Sequence, residues 1–267
     1  MPSLYLKNHK GFIRWHSIGT SGPTVVWLPG IGFPALGNFI NTVTDPALPA
    51  MRALLIDPLG AGDSDPIAGL SITDHADAIA DVLDHLGTGP CYVIGYSMGG
   101  AIAAELTLRR SDLVSRLILA EGNLLIGGGP STRTMAAISV GEFRDQYLPQ
   151  RLDDLRKSTM AGDALSDFIL ASWGKTDATA LHGMAQACVA LRPTLAAEIF
   201  SLSLPRTFIF GADNIAEPGT PASKNLPEPD DLRAAGFSVL AMAGAGHDLM
   251  LTNPSGFAAL IAPALTP

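Results

Sequence analysis

Cys91-Tyr92-Val93-Ile94 runs straight into Gly95-Tyr96-Ser97-Met98-Gly99-Gly100, and residues 101–108 follow as a stretch of mostly small and apolar side chains. An apolar run of strand length, a Gly-x-Ser-x-Gly turn and the opening of a helix force the serine into a tight strand-to-helix corner. Larger side chains beside it would collide there, so glycines flank it, and the serine hydroxyl is left exposed at the carboxyl end of a sheet. The pentapeptide alone also fits an ordinary glycine-rich turn with an inert serine. Its position between strand and helix is what makes Ser97 a candidate nucleophile.

Outward from this corner, short apolar runs alternate with helical patterns, the rhythm of a largely parallel sheet with crossover helices. Candidate strands lie at 25–28, 53–56, 91–94, 117–119, 207–210 and 238–241, preceded by a hairpin of 4–6 and 12–15 around Lys10-Gly11. Between the strands at 53–56 and 91–94, Ile72, Ala76, Ile79, Leu83 and Leu86 step by three or four residues and form one apolar stripe of a helix. Asp74, Asp77, Asp81 and Asp84 follow the same step on the other side; a solvated outer face explains them better than a cation site. From Gly127-Gly128-Gly129-Pro130 the strand rhythm gives way to helical patterns at 143–155, 165–173 and 178–191.

The bulk properties set limits. The chain has 267 residues, 47% hydrophobic and 16% charged, enough to bury a sizeable core. Lys and Arg total 17 against 25 Asp and Glu, a net charge of −8, which argues against nucleic acid as a partner. Two cysteines, Cys91 and Cys188, make neither a disulfide framework nor metal-ligand spacing. The N-terminus lacks a basic segment followed by an apolar run, and no stretch approaches the ~18 apolar residues of a membrane span. The expectation is a cytoplasmic protein with no membrane partner, and the oligomeric state stays open.

A serine hydroxyl is a weak nucleophile and needs a base. Of the six histidines, His75 and His85 lie on the acidic helix, where surface placement suffices. His9 and His16 belong to the hairpin and His182 to the helical stretch. His247 differs. Gly244-Ala245-Gly246-His247 follows the last strand directly, in a loop that parallel topology brings to the same sheet end as Ser97. Asn253-Pro254 then reads as the cap and first turn of a closing helix.

In nearly its whole length the chain resembles the α/β-hydrolase fold superfamily. The marks, in order, are Leu28-Pro29-Gly30-Ile31-Gly32, Asp57-Pro58-Leu59-Gly60-Ala61-Gly62-Asp63-Ser64, the serine corner, Gly246-His247 and Asn253-Pro254. Gly60-x-Gly62 lacks the third glycine of a dinucleotide loop, and the resemblance assigns it to a structural turn. The implied fold is a mostly parallel eight-stranded sheet flanked by helices, with a helical cap inserted after the sixth strand. Residues 1–126 and 205–267 would form the core and 127–204 the cap.

The resemblance also implies an oxyanion hole from the backbone N–H of Met98 and of Ile31, with Gly32 as the neighbouring possibility. Pro29-Gly30 stands where the family carries His-Gly, which removes a polar side chain but no backbone donor. The family's usual acid position after the seventh strand holds Asn214, with Asp213 one residue early. Some members carry the acid at the end of the sixth strand, where Glu121 follows Leu117-Ile118-Leu119-Ala120 and needs a polar partner. Glu121 takes first place and Asp213 stays open as its alternative. Asp248 is set aside, since neighbouring side chains diverge.

The expected function is serine hydrolysis of a carboxylic ester, lactone or thioester of a small to medium apolar molecule, through an acyl-enzyme. No metal or organic cofactor is called for. From the cap, Phe168, Ile169, Leu170, Trp173 and Met184 are available to line a pocket with Ile31 and Phe33; Phe33 and Trp173 are the chosen substrate contacts. Fold does not fix function. Acyl transfer or a lyase reaction by the same Ser97 and His247, a slow-turnover ligand-binding member and cofactor-free haloperoxidation stand as alternatives.

Overall fold

A computed structural model describes residues 1–215 and 226–266. Eight strands form one sheet: β1 (Ser3–Leu6), β2 (Gly11–Ile18), β3 (Thr24–Leu28), β4 (Arg52–Asp57), β5 (Cys91–Tyr96), β6 (Val114–Ala120), β7 (Arg206–Gly211) and β8 (Ser238–Met242). Their order across the sheet is β1-β2-β4-β3-β5-β6-β7-β8, with β1 and β2 antiparallel and every pair from β4 to β8 parallel. Each expected strand is present. The central ones read as unbroken apolar runs because both faces are covered: Val25, Val26, Trp27 and Leu28 are fully buried, as are Ala53, Leu54, Leu55 and Ile56.

The first helices are α1 (Ala35–Val43), α2 (Ile72–Leu86) and α3 (Met98–Arg109). Between β6 and β7 come α4 (Pro130–Ala137), α5 (Val140–Glu142), a π-helical turn (Phe143–Tyr147), α6 (Leu148–Met160), α7 (Ala164–Trp173), α8 (Ala178–Val189) and α9 (Leu195–Phe200). After β7 come a 3-10 turn (Ala212–Asn214), α10 (Pro229–Ala234), α11 (Leu249–Thr252) and α12 (Pro254–Leu265). Asn253 caps α12 by accepting from the Gly256 N–H, with Pro254 in the first turn. Among the described residues no helix is long and apolar enough to cross a membrane.

Helix α2 carries its expected stripe inward, with one correction. His75 is not on the surface: it is buried, and neither ring nitrogen has a partner among the described residues. The spacing already contained this, because position 75 lies between 72 and 79 at the same three- and four-residue steps as Ala76. Burial holds the imidazole neutral and pushes its pKa down to about 4. On the other face Asp77 and Asp84 meet Arg109 and Arg110, Asp74 closes a capping box with Ser71, and no metal-binding cluster occurs among the described residues.

The chain winds from β3 to β4 on one side, then crosses to β5 on the other. Such a reversal opens a crevice beyond the carboxyl ends of β3 and β5. The loop after β3, the corner after β5 and the corner after β6 therefore meet at one place. Beneath the β3 loop, the buried Asp57 carboxylate accepts from the N–H groups of Ala35 and Asp63, so it ties the loops after β3 and β4 together. Burial raises its pKa.

Candidate active site

Ser97 stands at φ 52°, ψ −116°, a strained backbone for a residue with a side chain. Two close approaches enforce it. A Cβ on Gly95 would strike the Gly99 carbonyl, and one on Gly99 would strike the carbonyl of Leu28. The Ser97 N–H donates to the Ala120 carbonyl at 3.1 Å, and the Asn123 N–H donates to the Ser97 carbonyl at 3.1 Å. The corner is thus pinned to the end of β6.

His247, in the loop after β8, reaches this corner. Its Nε2 lies 3.0 Å from Ser97 Oγ and its Nδ1 lies 3.1 Å from Glu121 Oε2. An ionised carboxylate only accepts, so Nδ1 carries the proton of the neutral ring and Nε2 is left to accept from the serine hydroxyl. The Tyr96 ring lies against the imidazole, with centroids 5.2 Å apart.

The two candidate acids part here. Glu121 is fully buried at φ 50°. Its Oε1 accepts from the Gly211 N–H at 2.7 Å, and its Oε2 accepts from Asn214 Nδ2 at 2.7 Å besides facing His247. Asp213 sits in the 3-10 turn with an exposed side chain, its N–H donating to the Ala245 carbonyl. The one-residue shift turns it away from the imidazole and turns Asn214 toward the buried carboxylate. Asp248 faces another partner altogether: Tyr96 Oη donates to its Oδ1 at 2.6 Å. Burial raises the pKa of that phenol well above its ordinary value, so the proton stays on Tyr96.

The loop after β3 completes the crevice. The Gly30 N–H donates to Asn38 Oδ1 and the Gly30 carbonyl accepts from the Phe33 N–H. The Ile31 carbonyl accepts from Trp173 Nε1 at 3.1 Å, and the Gly32 carbonyl from Thr176 Oγ1 at 3.2 Å. Among the described residues no acceptor meets the N–H of Ile31, of Gly32 or of Met98, the last at the start of α3. A cavity of about 520 Å³ opens beside Ile31 and Ser97. Ile31, Phe33, Tyr96, Ser97, Asn123, Ile169, Trp173, Leu226 and His247 are on its wall, with helices α4, α6 and α7 supplying one side. Phe33 and Trp173, the expected substrate contacts, both lie on this wall. Phe168, Leu170 and Met184 are off the wall: Phe168 packs edge-on against Phe33, ring centroids 5.0 Å apart, and Met184 is buried.

The stretch that carries the strand-to-helix serine is matched by a known family. The family model described as the alpha/beta hydrolase fold aligns with residues 23–192. The chain belongs to the α/β-hydrolase fold family.

The 2-hydroxy-6-oxononadienedioate/2-hydroxy-6-oxononatrienedioate hydrolase of Burkholderia vietnamiensis is 33% identical over 150 residues, 54% of this chain and 51% of its own length. The Pseudomonas sp protein of the same name is 31% identical over 150 residues, 55% of this chain and 52% of its own. The chain thus spans about half the length of the curated relatives it matches. Among solved structures, the enol-lactonase from Burkholderia xenovorans LB400 superposes with a TM-score of 0.80 at 20% identity, covering 100% of both chains. A thermophilic esterase from Thermogutta terrifontis does so with a TM-score of 0.77 at 18% identity, covering 99% of this chain and 97% of its own. At these identities the likeness to the solved structures is one of fold.

Three contacts escaped the sequence. The amide of Asn214 on Glu121 was legible only as a departure from the family's acid position. The Tyr96–Asp248 bond joins residues 152 positions apart, and the Trp173–Ile31 bond residues 142 apart, with no pattern linking either pair.

Proposed function

We propose that this α/β-hydrolase cleaves a carboxylic ester, lactone or thioester of a small to medium apolar molecule. The observation that carries this reading is the chain of two hydrogen-bond distances from Ser97 Oγ through His247 to the buried Glu121 carboxylate. Ser97 attacks the acyl carbonyl while His247 Nε2 takes its proton, and Glu121 fixes the tautomer and stabilises the imidazolium. The free N–H groups of Met98 and of Ile31, with Gly32 beside it, receive the oxyanion; a donor of this kind is typically worth roughly 100- to 1,000-fold in rate. His247 then protonates the leaving group, and water repeats the sequence on the acyl-enzyme to release the acid. Residues 127–204 act as a cap whose α4, α6 and α7 wall the cavity and limit substrate size.

A second reading has a specific support in the named relatives. A 2-hydroxy-6-oxo dienedioate offers a ketone and no ester, so its hydrolysis breaks a carbon–carbon bond with the same serine, histidine and oxyanion donors. Loss of the dienol absorbance on mixing separates it from ester cleavage.

The test of the serine itself is intact-protein mass after brief exposure to a fluorophosphonate. One stoichiometric adduct on the native chain and none on Ser97→Ala is the expected outcome. A folded native protein that takes no adduct would overturn the hydrolase reading and favour ligand binding with slow or no turnover.

A further inference from the structure

The crevice loop after β3 has its polar groups committed one by one, and the commitments come from two bodies. From α1, Asn38 takes the Gly30 N–H. From α7 and the turn after it, Trp173 and Thr176 take the next two carbonyls, of Ile31 and Gly32. Gly32 stands at φ +68, and a Cβ there would press on the Trp173 indole and on Leu181, so the helical segment is seated directly on this loop. The Ile31 carbonyl shares its peptide plane with the Gly32 N–H, so the Trp173 bond holds that donor, while the Gly32 carbonyl shares its plane with the Phe33 N–H, whose bond to the Gly30 carbonyl in turn holds the plane carrying the Ile31 N–H. The only polar groups of Ile31 and Gly32 left without a partner among the described residues are their N–H groups. Thr176 Oγ1 also lies 3.0 Å from the Ser172 carbonyl, so its one hydroxyl proton is shared between that carbonyl of α7 and the carbonyl of Gly32.

We propose that Trp173 and Thr176 are positioning residues that hold the oxyanion donors of the β3 loop in place, so that the hole is complete only while the helices between β6 and β7 sit on the core. This rests on the reading of Ile31 or Gly32 as an oxyanion donor. It assigns Trp173 a function apart from lining the cavity: the ring faces the substrate space and the indole N–H serves the backbone. Both hydrogen bonds join the excursion between β6 and β7 to the loop after β3. Lifting the helices therefore breaks both bonds and frees the donor peptides to turn.

The test separates the ring from its N–H. Trp173→Phe keeps an aromatic wall and removes the donor; Thr176→Val keeps the shape and removes the second. Each lowers kcat about 3- to 10-fold with KM within twofold, and the double variant loses more than either. The rate ratio of an oxoester to its thionoester also falls, because sulfur is a poor acceptor and gains little from a well-aimed hole. In the ligand-free protein, amide hydrogen exchange rises several-fold in peptides covering residues 29–37 and stays unchanged in those covering 95–109. A change in KM alone, or exchange at 29–37 matching the native chain in both variants, overturns the proposal. The exchange arm needs no turnover. If the native protein neither hydrolyses an ester nor takes a fluorophosphonate, the hydrolase reading falls, while exchange still decides whether α7 holds the loop.

Discussion

Ser97 closes β5 and Glu121 closes β6, and both stand at positive φ, 52° and 50°. Lys10, in the hairpin turn, is the third non-glycine among the described residues to do so. The two corners interlock: each side donates one backbone hydrogen bond to the other, and a Cβ on Gly100 would strike the Cα of Gly122. Their surroundings differ in kind. Ser97 is strained by crowding, with glycines clearing the space around it, and its hydroxyl opens onto a cavity. Glu121 has no accessible surface, and what holds it is its own carboxylate, fixed by Gly211, Asn214 and His247. Similar backbone strain thus brings a hydroxyl out at one corner and encloses a carboxyl group at the other.

The largest break in this comparison comes from removing the enclosed charge. Glu121→Gln is expected to lower kcat/KM by about 10⁴-fold through loss of the correct tautomer, whereas Asp213→Asn stays within twofold. Steady-state kinetics on both variants check it, and the reverse ranking would move the acid to the turn after β7. Pushing the corners apart is the next step down. Gly100→Ala forces a methyl between them and should cost about 1–3 kcal/mol in chemical denaturation, with kcat/KM reduced by about 100-fold. Unchanged stability would show the interlock is slack. The smallest effect belongs to Asn214→Leu, which leaves Glu121 its bonds to Gly211 and His247. Loss of one hydrogen bond to a charged group corresponds to roughly a tenfold lower kcat/KM, and a loss as large as that of Glu121→Gln would make the amide the principal orienter.

The sheet was readable because central parallel strands must be apolar on both faces, and 25–28, 53–56 and 91–94 are. The serine corner was readable because crowding demands glycine, and glycine is visible in a sequence. Glu121 leaves only the trace of an ionisable side chain at the end of an apolar run, so it shares its place with Asp213 in the sequence, and only the turn geometry shows which of the two faces His247. His75 was misplaced because a histidine on an acid-rich helix looks solvated, although its spacing from Ile72 and Ile79 is that of the buried stripe. Phe168 and Met184 were offered to the cavity on polarity alone, which cannot tell a wall from the packing behind it. The bonds from Trp173 and Thr176 end on carbonyls, which every residue has, so nothing in the sequence points to them.

One consequence of Asn214 reaches beyond this molecule. It stands where the family's aspartate is usually sought, and its amide now serves the carboxylate on the neighbouring strand. A sorting rule that demands an acid after the seventh strand would discard this chain as a degenerate copy of an enzyme. A rule that accepts either strand end, and treats an amide at the vacated one as a companion rather than a lesion, would keep it among the candidates for a complete triad.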